Sequence, residues 1–162
     1  MGDLLIKSPL IYEPLRQNRW ILRFPSDLGI QEWTVESAAR PHITIGQTEI
    51  QFLNTSTWVA GRYRWEDVNV TFRDMIGPST AQAVMEWVRL CAESVTGRMG
   101  YAIGYKRDIE LEMLDPTGAV AQRWILCNCF LTDCNGGDLN YGQDDLAKLT
   151  CTLKMDYAIL AF

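Results

Sequence analysis

The sequence is poor in the residues on which most catalytic sites are built. It holds a single histidine, His42, beside Pro41 at a strand end. Neither a nucleophile motif such as G-x-S-x-G nor a partner for a histidine base accompanies it. We therefore expect a surface or packing histidine and no catalytic residue. No glycine pattern sits at a strand-to-helix step, which excludes a phosphate cradle of the usual kind. Basic residues are outnumbered, 15 Lys and Arg against 20 Asp and Glu, and the net charge is −5. A body with a pI near 4.9 has no electrostatic reason to hold nucleic-acid phosphates. No apolar run approaches the roughly 20 residues needed to cross a bilayer, so no membrane partner is expected. The start, MGDLLIKSPL, lacks the basic region and long apolar segment of a secretory signal. We expect a soluble chain that stays where it is made unless carried out within something larger. Repeats, low-complexity segments and linkers are also missing, so the 162 residues read as a single domain, 1–162.

What is present is hydrophobic, 48% of residues, and its periodicity is mostly that of strands. Val68, Val70 and Phe72 alternate with Asn69, Thr71 and Arg73, which gives one dry and one wet sheet face. After a break at Asp74–Pro78 the period becomes helical, with Val84, Trp87, Val88, Cys91 and Val95 on one stripe. Ser79 three residues before Gln82 has capping-box spacing and Gly97 stands where a helix stops, so the spacing predicts one helix over 79–96.

Before that unit, residues 1–15 are an arm broken by Pro9 and Pro14. Its Leu4, Leu5, Ile6, Leu10 and Ile11 are too apolar to rest in water, which favours docking on a neighbouring copy over fraying. Arg19 to Phe24 reads as a strand closed by Pro25. Glu32 to Ala38 reads as another, with Trp33, Val35 and Ser37 on one side. Residues 41–59 read as a projecting hairpin that turns at Gly46-Gln47-Thr48 and needs its apolar residues covered. Downstream, Arg107–Leu114 alternates Ile109, Leu111 and Met113 with Asp108, Glu110 and Glu112. The turn Asp115–Gly118 leads into Arg123–Thr132, apolar on both faces. A polar loop follows, and Lys148 to Phe162 closes the chain with Leu149, Cys151, Leu153 and Met155 opposite Thr150, Thr152, Lys154 and Asp156. The pattern amounts to about seven or eight strands and one helix.

The carboxylates Glu110/Glu112 and Asp144/Asp145 read as solvated positions. The five cysteines form no knuckle: Cys127, Cys129, Cys134 and Cys151 lack the spacing of a zinc site, and we expect no metal and no cofactor. Cys127 and Cys129, two apart on an extended strand, sit on one face at the limit of disulfide reach and do not pair with each other. Cys91 on the helix stripe is a small buried thiol. An odd count points to free thiols, or to bonds between subunits in a particle that leaves the cell.

The runs Asn18–Pro25, Trp33–Ser37 with Pro41, Phe52–Thr55, Gly61, Trp65–Asp74, Glu86-Trp87-Val88 and Leu149–Tyr157 together resemble the T4-type tail tube protein family of contractile bacteriophages. The resemblance spans most of the chain and rests on the order and spacing of these runs. It leaves the cysteine cluster outside the family pattern.

The resemblance implies a mainly β fold with one α-helix, a β-sandwich or partial barrel. In this family strands of neighbouring subunits join into a large inner β-barrel within a hexameric ring, and stacked rings form the inner tube of a contractile tail that conducts DNA. It implies no catalytic site. The implied partners are further copies of the chain, the tail sheath, the tape measure protein and passing DNA in the lumen, the baseplate and the tail terminator. The implied location is the virion tail, assembled in the bacterial host cytoplasm. On that frame the lumen is expected to be lined by Asn69, Thr71, Glu110, Glu112, Thr150 and Thr152, a neutral-to-acidic set that would not grip phosphates. Stacking between rings is expected at Ile43, Ile45 and Ile50 of the hairpin and at Leu5 and Ile6 of the arm. The helix is expected to face the sheath through Gln82, Glu86, Arg89 and Glu93, by polar contacts that permit sliding. Cys127 and Cys134 are candidates for a disulfide between subunits. The alternatives are a tube-initiating or baseplate-proximal paralogue, a type VI or pyocin-like tube subunit, and, from another class, a barrel that encloses a small apolar ligand.

Overall fold

The computed structural model describes residues 13–161, so the docking arm's Leu5 and Ile6 lie outside the described residues. The chain is mainly β, with antiparallel pairing throughout. In order the elements are β1 (Trp20–Arg23), β2 (Val35–Ala38), β3 (Ile43–Phe52), β4 (Thr55–Trp65), β5 (Val68–Arg73), α1 (Thr80–Cys91), a single-turn α2 (Ala102–Tyr105), β6 (Arg107–Leu114), β7 (Val120–Asn135), β8 (Lys148–Lys154) and β9 (Tyr157–Ala161).

The strand order is β1-β6-β7-β8-β5-β2, and β9 also lies against β7. The 16-residue β7 is the hinge of this arrangement. Its first half pairs with β6 and β9, its second half with β8. The join is a bulge: Ile109 pairs with Leu126 but Arg107 pairs with Cys129, so β7 carries one extra residue there. Asn128 takes up the extra length with φ 55°, and its amide donates to Asp108 Oδ1 at 2.9 Å. Asn tolerates this left-handed geometry better than most residues, and a bulge bends a strand. Two packed sheets result, β1-β6-β7-β9 and β7-β8-β5-β2. Their facing sides share one core that includes Leu22, Val70, Phe72, Ile109, Leu111, Leu126, Cys129, Cys151 and Leu153.

Helix α1 joins the same core through Val84 and Trp87. Phe24 packs between Phe72, tilted against it, and Trp87, edge-on to it, with ring centroids 5.8 and 6.4 Å away. The Trp87 indole N–H donates to the Tyr105 carbonyl at 2.8 Å, which ties α1 to α2 and satisfies the ring's only polar atom. Ser79 caps the helix as its position suggests, accepting from the Gln82 amide at 3.3 Å.

Several local expectations differ from what forms. The helix stops at Cys91, and residues 92–99 make a small hairpin closed by an Ala92–Met99 bridge, so Val95 is exposed and Gly97 serves that turn. Gly100 explains the early stop. The chain returns so close to the helix end that a Cβ there would lie 2.0 Å from the Leu90 carbonyl oxygen. The strand expected over 32–38 begins only at Val35, because Glu32–Thr34 form a 3-10 turn that buries Thr34 and exposes Trp33. The final strand is two, separated at Met155-Asp156, each covering one half of β7.

Candidate assembly surfaces

Of the six expected lumen residues the structure gathers four. Asn69 pairs with Thr152 and Thr71 with Thr150 across the β5–β8 ladder, and the Thr152 hydroxyl donates to Asn69 Oδ1 at 3.1 Å. These side chains alternate with the core residues Val68, Val70, Phe72, Leu149, Cys151 and Leu153, so they occupy the outer face of the β7-β8-β5-β2 sheet. Two ion pairs flank this hydroxyl-rich face, and Arg73 lies on the same side of β5 opposite Lys148. Lys148 Nζ meets Glu36 Oε1 at 2.9 Å and Lys154 Nζ meets Asp67 Oδ1 at 3.0 Å.

Glu110 and Glu112 do not join them. They belong to β6, on the outer side of the other sheet, and Glu112 is not solvated at all. It is 2% exposed, with Oε2 2.8 Å from Arg23 Nε and Oε1 3.1 Å from Arg123 Nη2. The alternation of β6 puts Glu112 outward, but the cross-strand arginines on β1 and β7 lie over it. Glu112 is therefore corrected from a bore-lining carboxylate to the centre of an ion triad that clamps three strands. The same hydrogen bond to Glu112, followed by its charge and that of Glu32, pushes the Arg23 pKa further up. Glu110 stays half-exposed, 3.8 Å from Arg123.

The hairpin does project, but it is longer than expected and turns elsewhere. Strands β3 and β4 pair only with each other among the described residues. Their turn is at Leu53-Asn54, where Leu53 takes φ 52° and the Thr55 hydroxyl donates to the Phe52 carbonyl at 2.8 Å. Gly46, expected at the turn, sits instead at a bulge opposite Gly61–Arg62. There the two backbones approach so closely that a Cβ on Gly46 would lie 3.1 Å from the Arg62 carbonyl oxygen. The base is held by the Glu66 amide donating to the His42 carbonyl at 2.8 Å, so the exposed histidine acts through its backbone. Thr44, hydrogen-bonded to the Glu66 carboxylate, is the main reason its pKa falls below the usual range.

Both faces of this ribbon are wet and apolar. Ile43 and Ile45 oppose Trp65 and Tyr63, while alternation puts Ile50 and Phe52 on the other side. Phe52 is 73% and Leu53 89% exposed. The expected stacking residues left out Trp58, and ending the segment at Val59 left out Tyr63. The signal lay in the strand-like run that continues to Trp65.

An exposed two-stranded ribbon stands beside a sandwich whose outer strands β1 and β2 are paired on one side only among the described residues. The family model described as T4-like virus tail tube protein gp19 matches residues 20–159. The chain belongs to this family. It is a structural tail tube family. The fold is similar to a chain in the anti-feeding prophage cap, described as the tube terminating cap (TM-score 0.75, 18% identity, 93% of each chain covered). It is also similar to one in the sheath/tube terminator of the extracellular contractile injection system PVC, with a TM-score of 0.72, 16% identity and 94% of this chain and 99% of that one covered. A third similar chain comes from the PVC sheath-tube complex in the extended state, with a TM-score of 0.69, 15% identity and coverage of 99% and 97%. None of the curated proteins matches the sequence at a significant level.

In this chain the outward face of α1 carries Gln82, Glu86 and Arg89 exposed, with half-buried Glu93 just past the helix end. Arg89 reaches Glu86 at 3.6 Å and Glu93 at 3.8 Å. The face is less polar than expected, because Met85 and Leu90 are 49% and 46% exposed on it. No helix among the described residues is long and apolar enough to cross a membrane.

The cysteines of the family member separate into distinct settings. The bulge at Asn128 undoes the expected shared face: Cys129 enters the core and Cys127 does not. Burial pushes the Cys129 thiol up to about 12, and burial also raises Cys127, which faces the Tyr157 hydroxyl. Cys91 is half-buried on α1, and Cys134 is opposite Cys151. Among the described residues no group of three or more His, Cys, Asp or Glu is arranged to hold a metal ion.

Proposed function

We propose that the chain is the subunit of the inner tube of a contractile-tailed bacteriophage, forming hexameric rings that stack into a hollow tube for DNA. The observation that carries this is the β3–β4 ribbon. A lone two-stranded hairpin is marginal in water, and one with Ile45, Ile50, Phe52, Leu53, Trp58 and Tyr63 exposed needs cover on both faces. A neighbouring ring of identical subunits supplies that cover, and Leu5 and Ile6 of the arm add to the contact.

Within a ring, the β7-β8-β5-β2 sheet would be continued edge to edge through β2 and the second half of β7, which closes edges that are unpaired among the described residues. Its outer face then becomes the bore, lined by Asn69, Thr71, Thr150 and Thr152. Short hydroxyl and amide side chains at these four positions would give a polyanion little to grip. Glu110 would lie away from that bore. Helix α1 would look outward to the sheath, with the tape measure protein inside the tube and the baseplate and terminator at its ends. The sheath-tube and terminator settings of the similar folds are consistent with those partners. A small-ligand barrel is disfavoured because the interior is filled by Trp87, Phe72, Leu22 and Ile109.

Negative-stain microscopy of concentrated protein tests the reading. Wild type should give rings and rods, and Phe52→Asp with Leu53→Asp should give rings without stacks. Single particles at every salt and concentration, with no annular objects, would overturn it.

A further inference from the structure

The register of β7 on β8 sets Cys134 directly opposite Cys151. Facing residues in an antiparallel ladder have Cα atoms roughly 4.5 or 5.5 Å apart, depending on the pair type. Both values fall inside the roughly 4.4–6.8 Å that a disulfide spans. The two thiols are free, and no other pair of cysteines is matched in this way: Cys127 faces Tyr157 and Cys129 faces Arg107.

Access is one-sided. Cys151 is fully buried, at 0% exposure, whereas Cys134 is half-buried, so a small reagent reaches one sulfur of the pair first. The location also gives a bond something to hold. Beyond Cys129, β7 no longer pairs with β6, and among the described residues it is held by β8 alone. The polar segment 136–147 begins immediately after. The hydrogen bond from the Cys151 thiol stabilises a thiolate at Cys134 and lowers its pKa, while the same contact and burial raise that of Cys151. Cys134 is thus the better attacking sulfur.

We propose that Cys134 and Cys151 form a cross-strand disulfide within one chain when the protein meets a small-molecule disulfide such as oxidised glutathione. The Cys134 thiolate attacks one sulfur of the oxidant, forming a mixed disulfide and releasing one glutathione thiolate, which takes up a proton. Cys151 then loses its proton and attacks the Cys134 sulfur. The mixed disulfide breaks and the second glutathione leaves as a thiol. Two protein thiols are oxidised by two electrons, and one glutathione disulfide is reduced to two glutathiones. The product pins the free end of β7 to β8 and closes the 136–147 segment at its base. In reducing surroundings the pair stays open, and in oxidising ones it locks.

The test is full-length protein incubated with oxidised glutathione, alkylated and mapped by mass spectrometry. We expect a peptide linking residues 134 and 151, the loss of two of the five free thiols, and a monomer on non-reducing gels. Cys151→Ser should stop at one stable glutathione on Cys134, and Cys134→Ser should leave Cys151 unmodified. Protease nicking within 136–147 should yield fragments that separate only after a reductant is added, a readout that needs no variant to fold. A stable glutathione on Cys134 of the wild type without the link, linkage of Cys134 to another chain, or both thiols still free would each overturn the proposal.

Discussion

Substituting Glu112 with glutamine keeps the shape of the side chain and removes its charge. The carboxylate is 2% exposed and receives Arg23 Nε at 2.8 Å and Arg123 Nη2 at 3.1 Å. Breaking a fully buried ion pair costs about 3–5 kcal/mol, because a charge is left stranded. Exposed pairs contribute only about 0.2–1 kcal/mol. This triad lies between those limits, since each arginine side chain is 44% exposed and regains water when the carboxylate goes. Glu112→Gln should therefore cost about 1–2 kcal/mol, and Glu112→Ala about 2–3 kcal/mol once lost packing is added. At this chain length, about 1–2 kcal/mol corresponds to a Tm lower by roughly 2–8 °C.

Thermal and urea unfolding followed by tryptophan fluorescence would read the change. Glu110→Gln, whose partner is 3.8 Å away, is the control and should stay within about 0.5 kcal/mol. A double-mutant cycle with Arg23→Met should show coupling between the two sites. If Glu112→Gln matched wild type within about 0.5 kcal/mol, the clamp would be refuted and Glu112 would be an ordinary solvated carboxylate.

Gly100→Ala should destabilise by about 1–3 kcal/mol, because its Cβ would lie 2.0 Å from the Leu90 carbonyl oxygen, whereas Gly104→Ala meets nothing within 4 Å and should be neutral or slightly stabilising in the same melts. The Cys129 thiol is raised from 9.0 to about 12 by burial. The unfolded chain therefore loses this proton first, and above pH 9 the folded state holds more protons than the unfolded one. The thiol's contribution is fully present below pH 9 and is lost as pH rises toward about 12. Urea midpoints measured across that range should fall less steeply in Cys129→Ala, and an unchanged slope would contradict the assignment.

Much of the fold was legible because strand alternation and helical period report burial directly. Val68–Arg73, Arg107–Met113 and Lys148–Lys154 form as their patterns imply, Ser79 caps the helix, and a ribbon projects after Pro41. Turn and stop positions were less legible. Gly46 and Gly97 looked like breaks by composition, yet one is a bulge required by backbone approach and the other closes a small hairpin. Those roles depend on what the chain meets after it has folded back.

The candidate surfaces divide in the same way. Local sequence determined which residues alternate outward, so Asn69, Thr71, Thr150 and Thr152 were correctly placed on a polar face, and the chain's membership in a tail tube family could be read from the order of its runs. Tertiary structure alone decided which outward residues share a sheet. Glu112 has the same local pattern as Glu110, yet arginines from two distant strands bury it. Cys127 and Cys129 were parted by a single left-handed residue in β7, and Cys134 met Cys151 through the register of β8. Period records which way a side chain points from its own strand; what waits for it there is set by chain segments far away in sequence.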